Sequence, residues 1–415
     1  MLRSETVRPE GGSFLLIRPS PDAVAENEIF ERVLDGRALS RGEAIGLLSL
    51  TGEAAENLWS AAATLRDRGK GRVVSYSRKV FIPLTNLCRD SCSYCTFRKD
   101  PWEPGARIMT PAEVLAVTEA GKAFHCTEAL FTLGERPEQR YPEARDTLHT
   151  LGYSSTLEYL RDVSELVIQE TGLLPHANPG TMTRKEMVSL RDVNASMGLM
   201  LENVSERLCE EGGPHHDAPS KHPKVRLATI RNAGELKIAF TTGLLIGIGE
   251  TAEEIIDSLY AIRELDERYH HIQEVIIQNF RAKPGTPMAS HPEPSHEFML
   301  NSVAVARLVL GKGMNIQVPP NLSPDSYAEF LFCGINDWGG ISPVTKDFVN
   351  PEAPWPEVAR VSNDCEKHGF KLRARLPVYP EFVLRKKEFL PEKIANVAAS
   401  VADSEGYVSG GGSYN

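Results

Sequence analysis

Apolar residues recur at three- and four-residue steps through "DAVAENEIFERVLDGRAL" and "RGEAIGLLSLTGEAAENLWSAAATLRDRG". That spacing predicts an N-terminal helical extension over residues 1–73, with one face packed and one in water. From "RKVFIPLT" onward the pattern changes. The short apolar runs "KVFIPLT", "EALFTLG", "LLPHANPG", "MGLMLEN", "TTGLLIGIG", "EVIIQNF", "NIQVPPN" and "FLFCGIND" alternate with longer amphipathic stretches. Each run has the length of a strand, and each stretch between them can form a crossover helix. Three of these helices open with a threonine followed three residues later by a glutamate: Thr110 and Glu113, Thr183 and Glu186, Thr251 and Glu254. Such pairs satisfy each other's backbone donors and start a helix. Pro111 takes the first helical position, where its missing N–H costs nothing.

Alternation of strand and helix implies parallel pairing, and six to eight units predict an α/β fold, a parallel (β/α) barrel of TIM type. A doubly wound open sheet is the rival, because periodicity does not show closure. Residues 74–320 are expected to form the core barrel, and 321–400 to complete it on the substrate side. The small, polar residues 401–415 are expected to be a disordered tail. Polar residues and glycines gather where the strands end: Asn178 and Gly180, Glu202 and Asn203, Gly247 and Glu250, Gln278 and Asn279, and Asn321. In a barrel, that end carries the chemistry. Two long loops, "GERPEQRYPEARDTLHTLGYSS" and "CEEGGPHHDAPSKHPKVR", are placed to cover it, with His215 and His216 of the second expected in solvent.

Composition narrows the setting. A net charge of −10 over 415 residues argues against a nucleic-acid footprint. No run approaches the ~18 apolar residues of a membrane span, and "MLRSETVRPEGGSF" lacks the apolar core of a signal peptide. Seven cysteines is an odd number. That speaks against a disulfide framework and for a reducing, cytoplasmic setting in which grouped thiols bind metal or catalyse.

Three of the seven stand together in "LTNLCRDSCSYCTF": Cys88, Cys92 and Cys95, spaced C-x3-C-x2-C. Structural zinc wants four ligands, usually as two pairs. Cys126, Cys209, Cys333 and Cys365 are each single, and His291 and His296 of "SHPEPSH" lie far along the chain. A cubane iron–sulfur cluster takes one thiolate per iron. Three thiolates on one loop leave an iron open for another ligand.

This spacing, with Tyr94 before the last cysteine, resembles the radical S-adenosylmethionine enzymes. The resemblance implies one 4Fe–4S cluster held by Cys88, Cys92 and Cys95, with S-adenosylmethionine chelating the open iron. Reductive cleavage would give a 5′-deoxyadenosyl radical that takes a hydrogen atom from a substrate in the barrel. "FTLGERPE" resembles the family's Gly-Gly-Glu-Pro-like turn at Gly134 and Glu135, with Leu133 in the place of the first glycine and Arg136 inserted before Pro137. "GLLIGIGE" resembles the G-x-I-x-G-x-x-E pattern at Gly243, Gly247 and Glu250. Glu202, Arg207 and Arg226 are further candidates for cofactor contact, and Tyr94 for packing beside it.

A longer match, "CRDSCSYCTF", "LFTLGERPE", "TTGLLIGIGET", "QNFRAKPGTPM" and "GINDWGGISPVTKDFVNPE", resembles the ring-closing deazaflavin synthases from about Val74 to Pro380. It implies conversion of the tyrosine-derived hydroxybenzyl adduct of 5-amino-6-ribitylaminouracil into 7,8-didemethyl-8-hydroxy-5-deazariboflavin, with loss of ammonia. A tyrosine-attaching partner on a separate chain and an electron donor are implied as well. Asn178, Gln278, Asn279, Asn336 and Asp337 are the candidate substrate contacts, and no acid or base is assigned. Two alternatives stay open: a related radical enzyme of the tyrosine-attaching step or of menaquinone biosynthesis, and a structural zinc protein.

Overall fold

The computed structural model describes residues 21–410; the first twenty residues of the expected extension and residues 411–415 of the expected tail lie outside them. Eight parallel strands form the barrel: β1 (Val73–Pro83), β2 (Glu128–Thr132), β3 (Leu174–Asn178), β4 (Ser196–Gly198), β5 (Phe240–Ile246), β6 (Ile272–Asn279), β7 (Ile316–Gln317) and β8 (Asp337–Ile341). Pairing of β1 with both β2 and β8 closes the ring, which excludes the open sheet. Crossovers between strands carry helices, among them α4 (Pro111–Ala123), α7 (Arg184–Arg191) and α9 (Ala252–Tyr269). All three begin with the capping boxes that the sequence predicts.

The expected extension contains α1 (Pro21–Leu34), α2 (Arg41–Leu47) and α3 (Gly52–Lys70). It is part of the body. Trp59 Nε1 donates to Asn301 Oδ1 at 2.8 Å, and the buried Arg66 guanidinium donates to the carbonyls of Leu331 and Ile335 at 3.1 and 2.6 Å.

Three expectations need correction. "FLFCGIND" is not a strand: Tyr327–Cys333 is a 3-10 helix, and β8 starts later, at Asp337. Tyr327, Phe330 and Cys333 are buried at three-residue spacing, a helical period that an unbroken apolar run disguises. In "MGLMLEN", β4 stops at Gly198, and the chain regains strand pairing at Glu202, opposite Leu244. The expected disordered tail is ordered through Gly410: Ala402 pairs with Val408, Val408 N–H donates to the Ala374 carbonyl at 3.0 Å, and Arg373 lies 3.8 Å over the Tyr407 ring.

Outside the eight strands, β9 (Lys371–Arg375) pairs with Val73–Ser77, while β2 pairs with Lys79–Pro83 farther along the same edge of β1. Arg375 therefore ends β9 beneath the barrel. Its guanidinium grips Asp337 with two hydrogen bonds of 2.7 and 2.9 Å and reaches Glu274 at 3.2 Å. Asp337 is fully buried and also accepts from Ser75 Oγ at 2.5 Å. Its neighbour Asn336 accepts from Arg307 at 2.9 Å and from Ile316 N–H at 3.0 Å. Both residues, expected to meet substrate, are consumed in joining strands. Asp337→Ala leaves a buried guanidinium without its main partner and is expected to destabilise the fold by about 3–5 kcal/mol, read as a lowered urea midpoint.

Candidate active site

The loop after β1 brings Cys88, Cys92 and Cys95 to the wall of one cavity of about 380 Å³ at the C-terminal end of the barrel. None of the seven cysteines is in a disulfide. Cys126, Cys333 and Cys365 are buried away from the cavity, Cys365 under Trp338 Nε1 at 3.4 Å. Burial raises the Cys88 pKa to about 12, with Asp90 adding to the rise, so iron must displace protons to bind there. Among the described residues, no three His, Cys, Asp or Glu side chains stand close enough to share one ion. Three thiols facing one cavity without converging on a point fit a cluster better than zinc.

The turn after β2 presses on this loop. Glu135 N–H donates to Cys88 Sγ at 3.1 Å. A Cβ on Gly134 would overlap the Leu87 carbonyl oxygen and come within 2.8 Å of Cys88 Cβ, so the position admits glycine alone. The Glu135 carboxylate accepts from Thr181 N–H at 2.9 Å and from Thr181 Oγ1 at 2.7 Å, which ties the turn to the end of β3. The inserted Arg136 takes φ 35° and spends its guanidinium on Glu186 by two 2.8 Å bonds. The extra residue is thus anchored to the start of α7.

The second long loop covers the cysteines; Ser91 bridges to Asp217. His215 is buried rather than in solvent, and its Nε2 lies 2.9 Å from the Tyr94 hydroxyl. Burial, with Lys221 and Arg226 nearby, pushes its pKa down to about 2 and keeps the ring neutral. Glu202, held at φ 64°, pairs with Lys221 and lies 3.9 Å from Arg226. Tyr94, Gly134, Glu135, Glu202 and Arg226 all line the cavity.

The remaining cofactor candidates do not. Arg207 is exposed and pairs with Glu254 at 2.7 Å. Glu250 folds back onto the N–H groups of Gly247 and Ile248 at 2.6 and 2.8 Å, and a Cβ on Gly247 would meet Pro294 at 2.6 Å. That glycine serves a loop contact. Of the substrate candidates, Asn178 and Gln278 line the cavity, whereas Asn279 does not and donates to the carbonyl of Leu322 at 3.3 Å.

Deeper in the same cavity are residues that sequence reasoning missed: Lys79, Glu128, His176, Glu274, Gln317 and Arg375. Their signal was a polar side chain inside an apolar strand. The glycine pair of "GINDWGG" makes room for two of them. A Cβ on Gly340 would overlap Lys79 and lie 2.6 Å from its Nζ, and one on Gly339 would reach Gln317 Cδ at 2.6 Å. Gly134→Ala should displace the cysteine loop without unfolding the barrel. The expected result is loss of most bound iron after anaerobic reconstitution with an unchanged far-UV CD spectrum.

Comparison with known proteins agrees with this geometry. Residues 82–260 match the model of the Radical SAM superfamily. A 7,8-didemethyl-8-hydroxy-5-deazariboflavin synthase of Methanopyrus kandleri is 53% identical over 81% of this chain and 99% of its own length. The synthase of Methanocaldococcus jannaschii is 48% identical over 86% of this chain and 97% of its own. An FO synthase of Streptomyces avermitilis is 46% identical over 92% of this chain, which spans 46% of that longer protein. The structure of HydG, a maturase of the [FeFe]-hydrogenase, superposes with a TM-score of 0.72 at 16% identity over 91% of this chain and 81% of that one, a likeness of fold. The chain belongs to the radical SAM superfamily and, within it, to the family of the 7,8-didemethyl-8-hydroxy-5-deazariboflavin synthases.

Proposed function

We propose that this chain closes the deazaflavin ring, converting the hydroxybenzyl adduct of 5-amino-6-ribitylaminouracil into 7,8-didemethyl-8-hydroxy-5-deazariboflavin as an ammonia-releasing carbon–nitrogen lyase. The observation that carries the reading is three free thiols on one loop opening onto the interior of a closed barrel. When bound, a 4Fe–4S cluster and S-adenosylmethionine supply one-electron cleavage of the cofactor to a 5′-deoxyadenosyl radical. The protein contributes position, dryness and charge.

Cys88, Cys92 and Cys95 are the cluster ligands in this reading. The Glu135 N–H steadies Cys88 Sγ, and Gly134 lets the turn lie against the cluster loop. Glu202, Arg226 and Tyr94 form the cofactor side of the cavity, where Lys221 balances the glutamate and His215 fixes the tyrosine hydroxyl. His215 is kept neutral, so it adds no charge beside the cysteines. Asn178 and Gln278 offer amide donors and acceptors suited to a uracil edge or a ribityl chain. The tyrosine-attaching step belongs to a partner enzyme, and a separate electron donor reduces the cluster.

Two measurements test the reading. Anaerobically reconstituted protein should release 5′-deoxyadenosine and fluorescent deazaflavin from the adduct, and neither from tyrosine plus the free aminouracil. Turnover of the second mixture would make this the tyrosine-attaching enzyme. Alanine at Cys88, Cys92 or Cys95 should each abolish iron retention, whereas alanine at Cys126, Cys209, Cys333 or Cys365 should leave iron at the native level.

A further inference from the structure

Ring closure moves protons as well as a hydrogen atom, and deep in the cavity Lys79 is a titratable side chain with no hydrogen-bond partner among the described residues. Lys79 is on the inner face of β1, opposite Glu128 in the β1–β2 register, and is 7% exposed. Its Nζ lies 4.7 Å from the Trp355 ring centre and 5.7 Å from that of Phe81. The other titratable groups deep in the cavity are taken. Glu128 accepts from Ser77, His176 sits between Ser196 and Asn178, and Glu274 accepts from Arg375, Tyr379 and Thr241. Lys79 makes no hydrogen bond or ion pair with any described residue, and β8 keeps a glycine at 340 where any side chain would strike it. A primary amine enclosed by two aromatic rings, in a cavity that three thiols share, is built to meet a ligand.

We propose that Lys79 is the proton-transfer residue of ring closure. This rests on the ring-closing reading above. As neutral amine, Nζ accepts the proton from the phenol-ring carbon that bonds to the ribitylamino nitrogen; the C–H electron pair returns to the aromatic ring. As ammonium, Nζ gives that proton to the amino group on the neighbouring uracil carbon. The C–N electron pair leaves with nitrogen, and the product is ammonia. The uracil N–H proton lost as conjugation extends goes to solvent. The two oxidising equivalents do not pass through the lysine: the hydrogen atom goes to the 5′-deoxyadenosyl radical, and the electron to a one-electron acceptor of iron–sulfur type.

The surroundings suit a base as well as an acid. Burial lowers the Lys79 pKa below the ordinary lysine value, although Glu128, Asp347 and Glu274 pull it up; Arg375 adds to the lowering. His176, also facing it, is held neutral mainly by burial. With the pKa lowered, the neutral amine appears at a lower pH than for a lysine in water, so ring closure should gain as pH rises through that ionisation.

The test is the ratio of deazaflavin formed to 5′-deoxyadenosine released from the adduct, measured against pH. Native protein should show a ratio that rises through one ionisation. Lys79→Met should lower it about 10²-fold or more and flatten its pH profile, with uncyclised oxidised adduct accumulating. Lys79→Arg keeps the positive charge but cannot act as a base, so it should be equally uncoupled; it also serves if the methionine variant fails to fold. Small alkylamines should restore part of the ratio in Lys79→Ala. A native ratio in Lys79→Arg would show that charge alone is needed and overturn the assignment. So would a rise in KM with the ratio unchanged. Native protein that makes no deazaflavin from the adduct would instead overturn the functional reading, and the lysine's role with it.

Discussion

The active site depends on the register of β1. Eleven residues long, this strand meets β8 on one edge and shares its other edge between β9 and β2. That division fixes which side chains enter the barrel: Ser77, Lys79 and Phe81 point inward, while Val80 and Ile82 pack outward into the apolar core. A slip of one residue would exchange the two sets and expel the lysine from the cavity. The same strand delivers the cysteine loop from its C-terminal end, so thiol loop and interior amine are set by one pairing. β9 matters for this reason. By occupying the first half of the edge it holds β2 to Lys79–Pro83, and with it Glu128 opposite Lys79.

Below that level, the barrel is filled with charge instead of the branched apolar layers common to such folds. Arg375 faces Asp337 and Glu274, and Tyr379 donates to Glu274 at 2.9 Å. Burial, with Asp337 adding, raises the Glu274 pKa to about 7 despite the guanidinium beside it. Buried ionic networks of this kind contribute little net stability compared with apolar packing. Their presence beneath a cavity fits a polar substrate that needs a polar floor, and the tight pairing leaves few groups at liberty there.

Local signals were legible in the sequence and long-range ones were not. The cysteine spacing, the three capping boxes and the parallel alternation depend on neighbours a few residues apart, and the structure has all of them. Asn336 and Asp337 looked available because their partners, Arg307 and Arg375, are about 30 and 40 residues away in sequence. Gly247 and Glu250 matched a pattern yet serve their own loop, and Arg207 is spent on Glu254 of α9. Lys79 went unnoticed for the opposite reason: in "RKVF" a lysine at the start of an apolar run looks like a strand end in water. Only closure of the barrel turns that position inward.

Placing proton transfer on β1, instead of on the loop beyond it, also has a chemical logic. Cys88 and Cys92 sit where burial favours the protonated thiol. An acid beside them would compete with iron for the same sulfur electron pairs. The protein keeps His215, the ring beside the Tyr94 hydroxyl, neutral, and balances Lys221 against Glu202. Lys79 precedes the end of its strand by four residues, about 13 Å at ~3.3 Å per residue, and the cysteines begin beyond that end. Spacing the thiols and the lysine along one strand and the loop that follows it lets both face the same cavity without touching.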